Sequence, residues 1–308
     1  MAFGAFFASG QTHKIMMSSN NYQDEGHTII HGDSLDVLRH QIEDKSVDLI
    51  FLDPPYNIGK KFSEFQDKWN SDEQYLNWIY PVIDECIRVL KPQGTLYLMA
   101  STQAMPYLDI FIRDKMAILS RIVWHYDSSG LQAKKYFGSL YEPILHCVKD
   151  PKNYVFNSDS IKVEAKTGAK RKLIDYRKAI PTQYSSTKVP GNVWYFPRVR
   201  YRMAEYENHP SQKPELLLKR MILASSHEGG LILDPFAGTF TCGAVAKQLG
   251  RLSISIESQD PYVEIGLRRV LGWTEHQGKV LSPPAKSYQA KPKETQKKSE
   301  FIQRSLFY

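Results

Sequence analysis

Short runs of apolar and β-branched residues recur along the chain, and stretches with helical spacing separate most of them. Because strands that alternate with helices pair mainly in parallel, this pattern predicts an α/β fold with a mostly parallel sheet. Before one helical stretch, Ser71 and Gln74 resemble a capping box. The predicted strands are 28–33, 47–53, 94–100, 120–127, 142–149, 231–235 and 252–257, and the predicted helices are 71–90, 103–116, 213–226, 241–249 and 260–271. Seven strands with flanking helices make one three-layer domain.

The strand predicted over 47–53 ends in the sequence DPPY, residues 53–56. Ligands of open α/β sheets bind beyond the carboxyl ends of the strands, so we expect these residues at a binding edge. A carboxylate and a carbonyl aimed by two prolines can accept both hydrogens of an exocyclic amine on a base, which frees its lone pair for alkylation. The ring of Tyr56 can stack on the base. The structural alternative is a turn closed by a capping aspartate.

A second loop, DPFAGT at 234–239, follows the strand predicted over 231–235. It matches neither a GxxxxGK[ST] nor a GxGxxG fingerprint, which disfavours a nucleoside triphosphate or a dinucleotide. Glu257 ends the next strand about twenty residues further on, where an acid suits hydrogen bonds to ribose hydroxyls. A ribose-bearing ligand without a pyrophosphate therefore fits best, and S-adenosylmethionine is the common one. The alternative for this acid is a helix cap.

Residues 150–208 lack clean periodicity and are rich in aromatic side chains. Within them, 162–178 hold seven Lys/Arg against two acidic residues, and the whole chain carries a net charge of +7. This excess of positive charge indicates a polyanionic partner, and a solvated surface is the alternative. We expect an insertion between strands of the sheet. The predicted divisions are an N-terminal extension, expected to be disordered, at 1–26, one half of the main domain at 27–149, the insertion at 150–208, the other half at 209–280 and a basic flexible tail at 281–308.

The motifs DPPY, HPSQKP at 209–214 and DPFAGTF, in this order, resemble the β-group of DNA amino-methyltransferases, over about residues 27–272. The resemblance implies the Rossmann-like fold of S-adenosylmethionine-dependent methyltransferases, with seven strands and a circularly permuted order in which the catalytic half comes first. It also implies an adenine-N6-specific enzyme that turns one adenine out of a short site in double-stranded DNA, such as ATGCAT. The 150–208 insertion would then be the target-recognition region.

The resemblance assigns roles to individual residues. It implies that Asp53, Pro54, Pro55 and Tyr56 are catalytic. The cofactor-binding residues that it implies are Asp33, Ser34, Lys213, Pro214, Asp234, Pro235, Phe236, Gly238, Thr239 and Glu257. Among them, Asp33 would lie beside the adenine of S-adenosylmethionine and Lys213 at its methionine end. The candidate DNA-binding residues are Lys60, Lys134, Lys135, Lys170, Arg171, Lys172, Arg177, Arg198 and Arg200. No metal is expected, because no His/Cys/Asp cluster has ligand spacing.

Three alternatives remain open from the sequence. One is methylation of cytosine N4, since both amines suit the same pair of acceptors, although members acting on cytosine more often carry serine where this chain has Asp53. Another is methylation of RNA, which the long basic insertion disfavours. The third is a catalytically silent DNA-binding protein on the same fold, which has no physical need for intact DPPY and DPFAG motifs.

Simpler roles are expected for several other residues. Cys242 is not expected to be a nucleophile, His209 suits either a cofactor contact or a helix entry, and Trp124 and Trp194 are expected to pack in the core. The three scattered cysteines fit reduced thiols. The thiols predict a cytoplasmic protein, and the resemblance implies a bacterial, nucleoid-associated one without a membrane partner. No obligatory protein partner is evident, and a homodimer remains open.

Overall fold

The computed structural model describes residues 3–5, 14–16, 20–63, 65–127, 134–166, 171–177 and 179–281. Within these ranges nine strands form one large sheet with six α-helices around it. The strands are β1 (Asn21–Asp24), β2 (His27–His31), β3 (Val47–Leu52), β4 (Leu90–Met99), β5 (Ala117–His125), β6 (Tyr141–Val148), β7 (Val193–Tyr195), β8 (Leu231–Asp234) and β9 (Leu252–Glu257). The helices are α1 (Ser34–Gln41), α2 (Asp72–Val89), α3 (Met105–Arg113), α4 (Glu215–Ser225), α5 (Thr241–Gln248) and α6 (Asp260–Arg269). None of the helices in the described ranges has the length and apolar character that crossing a membrane requires.

The strand order is β7-β5-β6-β4-β3-β8-β9-β2-β1. The central strands β4, β3, β8, β9 and β2 are parallel to their neighbours in this series, with Ile232 opposite Leu49 and Ile254 opposite Leu233. β6 is antiparallel to both β4 and β5. The mostly parallel α/β sheet is therefore confirmed. Because β6 runs against its neighbours, it begins at the edge where β3, β8 and β9 end.

All seven predicted strands are present, and the structure adds β1 and β7 to them. The prediction of disorder across 1–26 is wrong for 21–24, because β1 pairs with β2 from Asn21 opposite Ile30 to Asp24 opposite His27. Residues 3–5 and 14–16 also pair as short strands. The predicted tail lies outside the described residues except for Leu281, which is buried.

The five predicted helices form within a few residues of their expected ends, and α1 is additional. At the start of α2, Ser71 Oγ accepts a hydrogen bond from Gln74 N at 3.2 Å, as its sequence position predicts. Gln74 Oε1 accepts from Asn70 N, one residue earlier than a capping box requires. α1 begins where the Asp33 side chain accepts from Asp36 N.

The sheet is buried on both faces, which accounts for the uninterrupted apolar runs of its strands. In β3, Ile50 and Leu52 pack towards α1, α2 and α3, whereas Leu49 and Phe51 pack towards α4 and α5. Each fully buried aliphatic side chain of this kind contributes about 1.5–3 kcal/mol. This double burial fixes the position of the residues that follow β3, β8 and β9.

The 150–208 segment is tied to the core at both ends. Near its start, Asn157 Nδ2 donates to Leu223 O at 3.1 Å and to Ser226 O at 2.9 Å, at the end of α4. Near its end, β7 pairs in parallel with β5, and Trp194 is buried. Between these points the described residues form two small antiparallel pairs, Val163–Glu164 with Thr187–Lys188 and Ile174–Asp175 with Thr182–Gln183.

Candidate active site

A cavity of about 630 Å³ lies at the carboxyl edge of the central strands. Its wall includes Asp53 and Tyr56 after β3, Asp234 at the end of β8 and Glu257 at the end of β9. The sequence placed these four residues at or just beyond strand ends, and the structure brings them around one space. The cavity also receives side chains from the start of β6 and from the segment before α4.

The turn after β3 is held by hydrogen bonds to two carboxylates. Tyr56 Oη donates to Asp53 Oδ1 at 2.6 Å, and Tyr56 N donates to Asp67 Oδ2 at 3.2 Å. Asp67 also accepts a hydrogen bond from Lys60 N, so this buried side chain closes the loop between 56 and 60. Burial raises the pKa of Asp67, against the backbone N–H groups that stabilise its charge. No sequence pattern indicated this role for Asp67.

Lys213 lies against the turn after β3. Its Nζ is 2.8 Å from Asp53 Oδ2 and 3.5 Å from Glu142 Oε2, and its side chain is only 7% exposed. Burial disfavours the charged form of Lys213, but the two carboxylates outweigh burial and raise its pKa. Its role at the methionine end of the cofactor stays a prediction, and its observed partners are two carboxylates.

Burial also raises the pKa of Asp53, against the opposing effects of the Lys213 ammonium and the Tyr56 hydroxyl. The pKa of Tyr56 is raised well above its usual range by burial and by the neighbouring carboxylates, so its hydroxyl remains a hydrogen-bond donor. Glu142, the second carboxylate in this group, lies 3.1 Å from Tyr56 Oη.

The loop after β8 faces this turn across the cavity. Gly238 adopts a φ of +50°, and a Cβ atom there would lie 3.2 Å from the His209 ring, so the loop requires glycine for a close approach. Gly238 N donates to Glu257 Oε2 at 2.8 Å, while Glu257 Oε1 accepts from the N–H groups of Ser258 and Gln259. Glu257 therefore shapes the loop, and its Oε2, which accepts only one of these hydrogen bonds, retains capacity for a further donor.

Asp234 is the most strongly perturbed carboxyl group of the loop. It is buried, and its Oδ1 accepts from Phe236 N at 3.2 Å. Burial raises its pKa well above the usual range, and the nearby Asp53 and Glu257 add to the effect. Burial likewise raises the pKa of Glu257. A group of buried acids of this kind favours a cationic ligand.

The structure brings most of the predicted cofactor residues to the cavity. Ser34 Oγ donates a hydrogen bond to Pro235 O at 2.5 Å, which joins the start of α1 to the loop. The rings of Phe236 and Trp78 pack together, with 5.7 Å between their centres. Those on the cavity wall are Asp33, Ser34, Lys213, Asp234, Phe236, Gly238, Thr239 and Glu257. Pro214 and Pro235 are not among the lining residues: Pro214 caps α4, and Pro235 contributes its carbonyl to Ser34.

The predicted DNA-binding residues are scattered. Lys60 and Arg198 line the cavity, and the Arg198 guanidinium lies 5.1 Å from the centre of the Tyr126 ring. Arg177 forms a two-pronged ion pair with Asp175, and Arg200 lies 3.5 Å from Asp127. Those exposed on the surface are Lys134, Lys135, Arg171 and Lys172, and Lys170 lies outside the described residues.

The structure also shows the surroundings of Cys242, His209, Trp124 and Trp194, for which simpler roles were expected. Cys242 is buried, and burial with the nearby Asp234 raises the pKa of its thiol well above the usual range. His209 packs against Tyr262 on the cavity wall, and burial lowers its pKa to about 3, so it is neutral. Trp124 and Trp194 are both buried in the core beside α4.

Besides Asp67, two features of the site were not predicted from the sequence. Glu142 stands near the start of antiparallel β6, whereas the rule for open α/β sheets predicts only positions that follow a strand. Tyr136 and Phe137 are exposed beside Lys134 and Lys135, in the loop that leads to Ser139 on the cavity wall. The adjacency of two lysines and two aromatics was the available signal for this loop.

Comparison with known proteins shows which family this chain resembles. Residues 47–268 match the N6_N4_Mtase family, described as DNA methylase. The chain is 60% identical over 249 residues to the DNA adenine methyltransferase YhdJ of Escherichia coli (strain K12), covering 81% of this chain and 84% of that protein. The PvuII cytosine-N4-specific DNA methyltransferase has a similar fold, with a TM-score of 0.61, 17% identity and coverage of 79% of this chain and 86% of that one. The M1.HpyAVI–SAM complex gives a TM-score of 0.51 at 22% identity, covering 78% and 98%.

Proposed function

This chain belongs to the DNA methylase family, and we propose that its cavity is where the N6 amine of an adenine is methylated. The protein is a DNA adenine methyltransferase that depends on S-adenosylmethionine. The 60% identity to an adenine-specific relative favours adenine over cytosine N4. The likeness to the cytosine-specific PvuII enzyme, at 17% identity, concerns the fold alone.

The observation that carries the catalytic assignment is the partly buried Asp53 carboxylate just beyond the end of β3, on the wall of the cavity. An exocyclic amine is a poor nucleophile because its lone pair is delocalised into the base. Asp53 and the carbonyl of Pro54 accept its two hydrogens, which directs the lone pair away from the ring system. Because Pro54 and Pro55 restrict the backbone, the acceptor is oriented before the base arrives.

Tyr56 provides the surface for the base. Its ring lines the cavity, and the Lys213 ammonium lies 5.1 Å from the ring centre. Stacking of a base on such a ring contributes about 1–3 kcal/mol. This offsets part of the few kcal/mol that turning an adenine out of the duplex costs. Proton loss follows methyl transfer, so water at the cavity mouth suffices as the acceptor.

The loop after β8 fits S-adenosylmethionine. A buried carboxylate with a raised pKa favours a cation, and Asp234 offers one to the ammonium of the methionine part. Glu257 holds the ribose hydroxyls, and the left-handed Gly238 lets the backbone approach the ligand. Asp33, Ser34, Phe236 and Thr239 complete the binding wall. When bound, S-adenosylmethionine supplies an electrophilic methyl group.

DNA is the substrate of this enzyme, and the individual contacts with it are part of the proposal. Lys60 and Arg198 lie on the cavity wall, where the flipped nucleotide and its phosphates enter. Exposed lysines and arginines of the 134–140 loop and the 150–208 segment contact phosphates, and other side chains of that segment read base edges. We propose a short palindrome such as ATGCAT as the target, and a cytoplasmic, nucleoid-associated location.

The proposal is tested by expressing the gene in cells that lack adenine methylation and sequencing their genomic DNA with detection of modified bases. We expect N6-methyladenine in one short motif, and none in cells that express Asp53→Ala at the same level. N4-methylcytosine would support the cytosine alternative, and no modified base in the presence of folded protein would support the silent DNA-binding alternative.

A further inference from the structure

Glu142 stands outside the recognised motifs but shares two partners with Asp53. Its Oε2 lies 3.1 Å from Tyr56 Oη and 3.5 Å from Lys213 Nζ. The same hydroxyl is 2.6 Å from Asp53 Oδ1, and the same ammonium is 2.8 Å from Asp53 Oδ2. Lys213 thus holds two carboxylates side by side, with one phenol hydroxyl between them.

The hydroxyl of Tyr56 has two acceptors within reach and one hydrogen to donate. It lies closer to Asp53, which leaves Glu142 as the longer contact. In the proposed reaction Asp53 must accept a hydrogen from the adenine amine. The hydroxyl would then either compete with the amine or remain buried without an acceptor, and both outcomes weaken binding of the reactive amine.

We propose that Glu142 is a positioning residue that receives the Tyr56 hydrogen bond when the adenine amine occupies Asp53. The inference rests on the proposed function and assigns a residue that no motif covers. Glu142 is held for this purpose by Lys213, and the Tyr126 side chain lies beside it on the cavity wall. The Glu142 side chain is 17% exposed, and it extends from the start of β6 to the cavity wall.

The role requires no proton transfer between the residues. The hydroxyl rotates about its bond to the ring, so its hydrogen leaves Asp53 Oδ1 and points to Glu142 Oε2. Tyr56 keeps one hydrogen bond throughout, and Asp53 exchanges a hydroxyl donor for an amine donor. Neither the Tyr56 hydroxyl nor the Asp53 carboxylate therefore loses a hydrogen-bond partner as the base enters.

A double-mutant cycle tests this role. The rate constant of methyl transfer in a single turnover is measured for wild type, Glu142→Ala, Tyr56→Phe and the double variant, with a duplex that contains the target site. We expect Glu142→Ala to lower the rate constant roughly 10- to 100-fold. In the Tyr56→Phe background, where no hydroxyl needs an acceptor, we expect Glu142→Ala to lower the rate constant of methyl transfer less than about twofold. Additive losses in the cycle would overturn the proposal.

Glu142→Gln guards against loss of folding, because its amide oxygen keeps the shape and an acceptor. We expect it to retain more activity than Glu142→Ala, and equal losses in both variants would also overturn the proposal. Glu228→Ala is the matched control, since it removes an exposed carboxylate before β8, at the opposite end of the sheet. A wild-type protein that methylates no DNA would overturn the proposed function, whereas equal activity of wild type and Glu142→Ala would overturn only this role.

Discussion

The wall of the cavity and the middle of the 150–208 segment are built in opposite ways. On the wall, Asp53, Glu142 and Lys213 come from distant parts of the chain and form one ion-pair cluster, in which Lys213 is buried and the two carboxylates are partly buried. In the middle of the segment, Arg177 pairs with Asp175 two residues away, and its neighbour Tyr176 is exposed. One region is fixed by contacts between elements, and the other is held by local contacts.

This difference separates two requirements on the enzyme. Methyl transfer needs acceptors that are oriented before the base arrives, and contacts between distant segments of the chain supply that orientation. Recognition of a DNA site needs side chains that can contact phosphates and base edges, so these side chains must be exposed at the surface. Substitutions on the wall are therefore expected to affect chemistry, and those in the middle of the segment to affect binding and sequence preference.

The largest expected effect tests the wall. Asp53→Ala removes the carboxylate that we propose accepts a hydrogen of the adenine amine, and it should lower the rate constant of methyl transfer at least about 10³-fold. Binding of S-adenosylmethionine and of DNA, measured by calorimetry and fluorescence anisotropy, should change little. Near-normal turnover in this variant would show that orientation by the wall is not the source of catalysis.

Trp194 tests the contrast from within the 150–208 segment, because it belongs to that segment but is buried. Its Nε1 donates to Gly191 O at 2.7 Å, and the Arg220 guanidinium lies 5.1 Å from its ring. Trp194→Ala should lower the free energy of unfolding by roughly 3–5 kcal/mol, measured in urea. Tyr176→Ala, in the exposed middle, should change it by less than about 0.5 kcal/mol. Similar losses in both variants would remove the distinction between the anchored ends and the middle.

The pH dependence of cofactor binding tests the opposite wall of the cavity. Because the pKa of Asp234 is raised, its carboxyl group takes up a proton as pH falls, and binding of a cation then requires that proton to leave. Affinity for S-adenosylmethionine should therefore decrease at low pH, by about tenfold per unit once pH lies below this pKa. Asp234→Asn should bind more weakly and lose this dependence. A pH dependence that persists in the variant would assign it to another group, although His209, with a pKa of about 3, stays neutral.

The smallest effect concerns the exposed basic cluster. Replacing Arg171 and Lys172 with Ala should weaken DNA binding roughly two- to tenfold and reduce its salt slope by about 0.9 for each phosphate that the variant no longer neutralises. The measurement is the affinity for duplex DNA over a series of salt concentrations. Lys219→Ala, on the exposed face of α4, is the control. An unchanged slope in the double variant would place the cluster away from DNA.

The central sheet could be predicted from the sequence because its strands are buried on both faces and read as apolar runs. The turn after β3 and the loop after β8 were also predictable, since prolines and glycine mark them and acids stand at or just beyond the ends of β3, β8 and β9. Two strands escaped prediction for physical reasons. β1 and β7 lie at the edges of the sheet: β1 is the polar sequence NYQD, and β7 is only three residues long.

The rest of the site depends on contacts that no local pattern encodes. Glu142 reaches the cavity because β6 is antiparallel, and strand direction is set by the whole sheet. The ion pair of Lys213 with Asp53 likewise joins segments on opposite sides of the 150–208 segment. Residues that contact DNA are less predictable still, because exposed lysines have the same sequence pattern whether or not they face a partner.

The position of Lys213 has a consequence for synthesis of the protein. A ribosome produces Asp53 and Tyr56 early, then the 150–208 segment, and only afterwards Lys213 and the loop that begins at Asp234. A chain released before that point carries the turn after β3 without its ammonium partner and without the loop after β8. We therefore expect unfinished products not to methylate DNA, because the residues proposed to bind the cofactor are translated after those proposed to bind the base.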